Sequence, residues 1–309
     1  MEYIYGKSEF RFHNTCVTLG KFDGLHRGHQ LLLSYLSKYE ALGYTSVMFT
    51  FDYHPGNLFS DREIKLIYTE EEKKALLLAH GPKVLISYPF TRESASMEPE
   101  EFIEKVLIAQ LDAKVIVVGN DYRFGSKRRG DITMLKEYAS IYGYELIVCD
   151  KLMLDGEAIS STRIRDELKQ GHIEYVNEML GHPYTIMGEV VHGRKLGRTI
   201  GVPTVNLIPP ELKLLPPKGV YASVVRVGDK AYKAVTNIGT NPTVDEGEQI
   251  VVESYMLDYH GELYGQEIEV ELYTYERGEE KFDSIEELQK HMQKDIEFAK
   301  KYFELKLLP

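Results

Sequence analysis

Tryptophan is absent from the 309 residues, and cysteine occurs only twice, at Cys16 and Cys149. Two cysteines cannot build a disulfide framework or, alone, a zinc cage, so both read as reduced, buried thiols. No apolar run approaches the roughly 20 residues a membrane span needs. The stretch MEYIYGKSEF has no basic segment followed by an apolar one and does not read as a signal peptide. The expectation is a cytoplasmic chain with no membrane partner. Positive charge is also scarce: Lys and Arg number 37 against 48 Asp and Glu, a net charge of −11. Broad electrostatic binding to nucleic acid is therefore not expected. A Walker A loop is missing too, because the one Gly-Lys-Ser, Gly6 to Ser8, lacks a glycine five residues earlier. Any nucleotide phosphate must be held by another kind of loop.

What is present falls into two halves of different character. In the first, CVTLG (16–20), SVMFTF (46–51), KVLIS (83–87), KVIVVG (114–119) and ELIVC (145–149) read as buried strands. Between them lie helix-period stretches, one opened by Thr69 with Glu72 in a capping box and one by Pro99 at a first helical position. Strand–helix alternation with near-continuous apolar strands implies a parallel sheet covered on both faces, with ligands at the strands' carboxyl ends. Two more helical segments follow, and then the pattern changes near Gly181–Pro183. From there to about Tyr275 short alternating strands are broken by Gly, Pro and Asp, which points to a small barrel or sandwich. One hairpin should turn at Gly228-Asp229, and a second should join QIVVESYML to QEIEVELYTY. An amphipathic helix capped by Ser284 and Glu287 closes the chain. The expected domains are 1–181 and 182–309.

The stretch TLGKFDGLHRGHQLLL (18–33) sets three glycines and two histidines where a strand hands over to a helix. Gly20, Gly24 and Gly28 let a nucleotide approach the backbone, and the helix N-terminus offers unpaired N–H groups to phosphate. His26 and His29, three residues apart across that terminus, can both donate to one phosphate chain. Such donors stabilise charge that builds when an α-phosphate is attacked in line. Two other readings stand beside this one: a metal site from His26, His29 and Asp23, and a structural pair of histidines.

GKFDGLHRGHQ resembles the signature of nucleotidylyltransferases. It is followed in order by TFDYHP, VGNDYRFGSKRRGD, ISSTRIRDELKQG, GRTIGVPTVNL, GVYA, NIGTNPTV, VVESYMLDYHGELYG and ERGEEKFDSIEEL. Together they resemble the prokaryotic bifunctional riboflavin kinase/FMN adenylyltransferase family, commonly called FAD synthetase, over nearly the whole chain. The resemblance implies a Rossmann-like α/β nucleotidylyltransferase domain, then a small antiparallel β-barrel kinase domain with a C-terminal helix. Riboflavin, FMN, FAD and ATP with Mg²⁺ would be the small molecules handled; oligomeric state stays open. Lys21 departs from the family's usual Asn, Tyr53 from Pro and Val205 from Ala.

By that resemblance ATP in the first domain lies on Gly20, Phe22, Asp23, His26, Gly28 and His29, with Ser161, Thr162 and Arg165 on its phosphates. FMN lies against His54, Pro55, Asp121, Tyr122 and Phe124. The basic loop with Arg123, Lys127, Arg128 and Arg129 reads equally as a solvated turn. In the second domain Gly193, Arg194, Lys195 and Gly197 would hold ATP. Thr204 and Asn206 offer hard oxygens to Mg²⁺ on ATP, though beside Pro203 they also suit a plain turn. Gly219, Val220, Tyr221 and Arg277 would contact flavin. Glu253, in a strand of otherwise apolar inward residues, would be the base that accepts the 5′-hydroxyl proton, or else it faces solvent. The alternatives in function are an adenylyltransferase whose barrel only binds flavin, and a non-enzymatic flavin sensor or nucleic-acid-binding protein. Intact Thr204, Asn206 and Glu253 argue against the first, and His26 with His29 against the second.

Overall fold

The computed structural model describes residues 1–52, 64–193, 202–243 and 247–306. It divides into two compact units, Met1–Ser161 and Thr162–Pro309.

In the first unit six parallel strands stand in the order β1-β4-β3-β2-β5-β6. They are β1 (Glu2–Tyr5), β2 (Thr15–Leu19), β3 (Thr45–Phe51), β4 (Val84–Tyr88), β5 (Ala113–Gly119) and β6 (Glu145–Cys149). The five anticipated strands are all there, but β6, expected to be buried, stands at the sheet edge with only Cys149 buried, and β1 is an additional edge strand on β4. β2 is buried at every residue, as a central strand covered on both faces must be. The helices are α1 (Arg27–Glu40), α2 (Glu70–His80) and α3 (Ile132–Tyr142). α2 opens with the expected capping box, Glu72 N–H donating to Thr69 Oγ1 at 3.3 Å and Thr69 N–H to Glu72 Oε2 at 2.9 Å. Pro99 does start a helix, but from Phe102 to Gln110 it widens to π-type turns.

In the second unit α4 (Ser161–Lys169) and α5 (Ile173–Leu180) lead into a closed antiparallel barrel, β10-β13-β12-β11-β14-β9. Its strands are β9 (Tyr184–Val191), β10 (Val205–Leu207), β11 (Gly219–Val227), β12 (Lys230–Thr243), β13 (Gly247–Met256) and β14 (Glu267–Arg277). A two-stranded ribbon of β7 (Met153–Leu154) and β8 (Glu157–Ala158) precedes them in the chain. The hairpin at Gly228-Asp229 forms as expected, with Val227 opposite Lys230. The second expected hairpin does not: β13 pairs with β12 and β10, while β14 pairs with β11 and β9. The long connection after β13 carries the chain past two strands to close the barrel. Alternation alone cannot distinguish that crossing from a long-looped hairpin. Buried hydroxyls of Ser223, Thr236 and Ser254 form a ladder across β11, β12 and β13, each step 2.7 Å. The last helix, α6 (Ile285–Lys306), packs Ala299 and Phe303 on Ala222 and Val224 of the barrel.

Candidate active sites

β2 is where the strand order of the sheet reverses, with β3 and β4 on one side and β5 and β6 on the other. Open α/β sheets bind ligands outside the carboxyl ends of their strands at such a point. Two loops leave that point, one from the end of β2 and one from the end of β5.

The first loop is strained. Phe22 and Leu25 hold φ of +48° and +44°, values that cost a side-chain-bearing residue energy unless the surroundings impose them. The imposing contacts are visible. Asp23 Oδ1 accepts from the Ile67 N–H at 3.0 Å, and the Asp23 carbonyl accepts from the Ser161 hydroxyl at 2.7 Å. Asp23 is thus engaged in fixing the loop. At its end His26 occupies the N-cap of α1 without bonding the helix through its side chain. Instead its ring stacks on His29, centroids 3.7 Å apart and planes 18° apart, with Phe22 edge-on to His29 at 5.2 Å. Gly28 makes room for this arrangement, since a Cβ there would sit 3.1 Å from His26 Nδ1.

Burial pushes His26 down to about 4, and burial, then the charges of His26 and Lys73, hold His29 well below the usual histidine range. Both rings are therefore neutral at pH 7. The Nδ1 atoms of both are buried without a hydrogen-bond partner among the described residues. Unsatisfied buried polar atoms are costly, so two side by side mark a place prepared for a ligand. Among the described residues no group of three or more His, Cys, Asp or Glu is placed to hold a metal ion. The stacked pair with Asp23 bound to backbone does not form the alternative metal site.

Gly20 lies directly after β2, where a Cβ would meet the Phe22 ring at 3.2 Å. Ser161 begins α4 and is tied to the β2 loop, whereas Thr162 and Arg165, in the first turns of that helix, cluster with the second unit. On the β5 side, Tyr122 stacks on Phe124 at 5.6 Å and 13°, and Phe124 is buried against Phe102 at 5.7 Å. Tyr122 is half-buried against the same core, the more exposed of the two rings. Asp121 is exposed and paired with Lys151 at 2.7 Å. His54 and Pro55 lie outside the described residues. In the basic loop Arg123 pairs with Asp131 at 2.6 Å and Arg129 with Glu98, while Lys127 and Arg128 are exposed at positive φ.

In the second unit a cavity of about 280 Å³ opens between the outer barrel face and α6. Val220, Val235, Asn237, Glu253 and Tyr255 form its floor, and Arg277, Phe282, Met292 and Asp295 its far wall. Glu253 does not point inward with Val252 and Ser254; it is half-buried on the opposite face, where the strand meets this cavity. Thr204 Oγ1 donates to Glu253 Oε1 at 2.5 Å, and nothing else described bonds that carboxylate. Asn206 stands opposite Glu253 in the β10–β13 register, buried beneath Gly193, whose Cβ would come within 2.5 Å of its Nδ2. Thr204 also lines a second cavity of about 250 Å³ with His260, Tyr259 and Tyr264.

Arg277 grips Asp295 of α6 with two parallel bonds, Nε to Oδ1 at 2.9 Å and Nη2 to Oδ2 at 2.6 Å. Such forked pairs fix geometry as well as charge. Gly219, at φ +148°, lies so close to the Arg277 carbonyl that a Cβ would clash at 2.2 Å. Val220 reaches the cavity, but Tyr221 is fully buried inside the barrel with its hydroxyl bonded to the Pro217 carbonyl. It supports the wall from behind. Arg194, Lys195 and Gly197 lie outside the described residues. Asn237, Tyr255 and Asp295 were not anticipated. The first two share a strand face with Val235 and Glu253, so alternation held that signal.

A parallel sheet with buried donors at its switch point, and a barrel with a hydroxyl-aimed carboxylate in a cavity, define a two-domain transferase that acts on nucleotides. The comparisons narrow the class. Residues 9–163 match the FAD synthetase family model and residues 180–303 the riboflavin kinase model. The bifunctional riboflavin kinase/FMN adenylyltransferase of Listeria monocytogenes is 35% identical over 94% of this chain and 93% of its own. That of Escherichia coli K12 is 36% identical over 98% and 97%. A solved structure from Streptococcus pneumoniae described as a macrolide-efflux protein superposes with a TM-score of 0.86 at 31% identity, covering 96% of this chain and 98% of that one. Among the described residues no helix is long and apolar enough to cross a membrane.

The chain belongs to the bifunctional riboflavin kinase/FMN adenylyltransferase family. It is a transferase with both activities.

Proposed function

We propose that the sheet domain adenylylates FMN at the His26–His29 crevice and that the barrel domain phosphorylates riboflavin at Glu253. The functional boundary falls near residue 181, giving 1–181 and 182–309. α4 and α5 stay physically with the barrel: Asn177 bonds both the Tyr184 N–H and the Leu272 carbonyl at 2.8 Å.

In adenylyl transfer a phosphate oxygen of FMN attacks the α-phosphorus of ATP, the bond to the bridging oxygen breaks, and pyrophosphate leaves. No covalent intermediate with the protein is needed. Each neutral imidazole has one N–H to give, and a fixed donor in a buried site costs no reorganisation as charge grows on the α-phosphate. Gly20, Phe22 and Gly28 shape the approach, Ser161, Thr162 and Arg165 serve the phosphates, and Tyr122 offers its face to the flavin, with Asp121 and Phe124 beside it.

In the kinase reaction the riboflavin 5′-hydroxyl attacks the γ-phosphorus of ATP and gives its proton to Glu253, and ADP leaves. Thr204 holds one carboxylate oxygen and leaves the other for the substrate. Flavin fits the cavity between barrel and α6, with Val220 and Gly219 behind it and Arg277 at its wall. Mg²⁺ would arrive on ATP and be met by Thr204 and Asn206, whose hard neutral oxygens suit it, supplying charge neutralisation to the phosphates. Both substrates are cytoplasmic metabolites, which is where the enzyme belongs.

One observation carries the kinase half: Thr204 lines both barrel cavities while bonding Glu253. A flavin in one and a nucleotide in the other would meet at that hydroxyl. Incubation with riboflavin, ATP and Mg²⁺, with the flavins resolved chromatographically, should show FMN and then FAD. FAD made from supplied FMN but no product from riboflavin would reject the kinase assignment.

A further inference from the structure

Lys73, one turn into α2, is only 7% exposed. Burying an ammonium is expensive unless it is paired, and its one polar side-chain partner among the described residues is Glu70, Nζ to Oε2 at 3.0 Å. The pairing is asymmetric. Glu70 Oε1 already accepts two hydroxyls, Tyr3 at 3.0 Å and Ser87 at 2.5 Å. Its carboxylate stays hydrogen-bonded if the lysine leaves, and at 20% side-chain exposure its other oxygen can take water. Among the described residues Lys73 has no second acceptor to lose. The pair is built so that the cation, but not the anion, can move.

α2 is anchored to the strained crevice loop. Ile67, six residues before Lys73, donates its N–H to Asp23 Oδ1, and its side chain packs beneath Gly24. Leu77 of the same helix shares a core with Phe22 and Leu25. Lys73 is close enough for its charge to act on His29. A buried cation therefore lies on the helix that packs against the loop carrying the two imidazoles. Neutral donors cannot balance the charge of a triphosphate, and a flexible lysine is a common phosphate ligand.

We propose that Lys73 is a binding residue for the ATP polyphosphate and departing pyrophosphate at the adenylyl-transfer site, held by Glu70 until those phosphates take it. This rests on assigning that reaction to the His26–His29 crevice. A purely structural ion pair is the competing account, and it makes a different prediction, because breaking such a pair from either side is damaging.

The test uses the full-length enzyme with ATP, FMN and inorganic pyrophosphate as probes. Lys73→Met should raise the KM for ATP at least about tenfold and weaken pyrophosphate inhibition in parallel. The KM for FMN and the rate of riboflavin phosphorylation should not change. Lys73→Arg, which keeps the charge, should recover part of the ATP affinity. Glu70→Gln should leave ATP and pyrophosphate affinity unchanged or improved. Equal losses from Lys73→Met and Glu70→Gln, or an unchanged KM for ATP in Lys73→Met, would overturn the proposal. If Lys73→Met does not fold, Glu70→Gln and Lys73→Arg decide by the same criteria. His29→Ala separates the two levels: its full activity would sink the underlying assignment, while its loss beside normal Lys73 variants would sink only this inference.

Discussion

In the sheet domain the proposed reactive surface is two neutral rings face to face, 3.7 Å apart, at the end of a loop with two strained residues. In the barrel domain it is made of ions, a carboxylate aimed by Thr204 and a guanidinium clamped on Asp295. The contrast follows from what each reaction asks. Attack by an FMN phosphate has no proton to remove, so fixed donors and charge balance suffice. Attack by an alcohol must dispose of a proton, so one group has to be ionised and correctly aimed. Neighbouring steps on one chain thus call for neutral donors at one site and an ionised acceptor at the other.

The largest expected effect comes from removing the ionised group. Glu253→Gln should cost riboflavin phosphorylation about 10²–10⁴-fold while FAD formation from supplied FMN keeps its rate. Equal losses in both reactions would mean that the sites are not separate. His29→Ala should cost about 10²–10³-fold in the second reaction only, read as FMN accumulating from riboflavin.

A smaller effect is expected at the clamp. Asp295→Asn breaks the fork on Arg277 and should raise the KM for riboflavin and lower the thermal midpoint of the second unit. The loss should be below the about 3–5 kcal/mol of a fully buried pair, because the Arg277 side chain is 22% exposed. Calorimetry showing no change would make the clamp a surface contact.

The subtlest effect is in pH dependence, where the domains should differ in sign. His26 is held down to about 4, so its unfolded form binds more protons below its ordinary 6.5. Its contribution to stability is present above 6.5 and is lost as pH falls toward 4. Glu276 is pushed up to about 7 from 4.5 by burial and by Asp295, against the pull of Arg277, and its Oε2 is buried without a partner among the described residues. The folded form there binds more protons, so its contribution falls as pH rises from 4.5 to 7. Between pH 5 and 6.5, melting differences between wild type and His26→Phe, and between wild type and Glu276→Gln, should slope in opposite directions. Parallel slopes would remove the electrostatic contrast.

Much of this was legible in residues. The buried runs of the first half became adjacent parallel strands because only a covered sheet accommodates such runs, and Thr69, Pro99 and Gly228 did locally what their chemistry favours. The order of the strands around the barrel was not legible. Nothing in QIVVESYML says whether its partner lies before or after it, and barrel closure decided for β12. Burial was legible only by parity, which left Glu253 between core and solvent; the covering helix α6 resolved it into a cavity wall. The neutral state of His26 and His29 was hidden as well, since it arises from burial, which the spacing of the motif does not reveal. Asp295, two turns beyond the last motif on the same helix, entered the site because α6 folds back over the barrel.

The central claim is that two complete and separable sites act in sequence, and mixing two variants tests it directly. Given riboflavin, ATP and Mg²⁺, His29→Ala alone should stop at FMN and Glu253→Gln alone should leave riboflavin untouched. The two mixed should make FAD, as FMN released by the first is adenylylated by the second. FAD from either variant alone, or none from the mixture, would contradict the account.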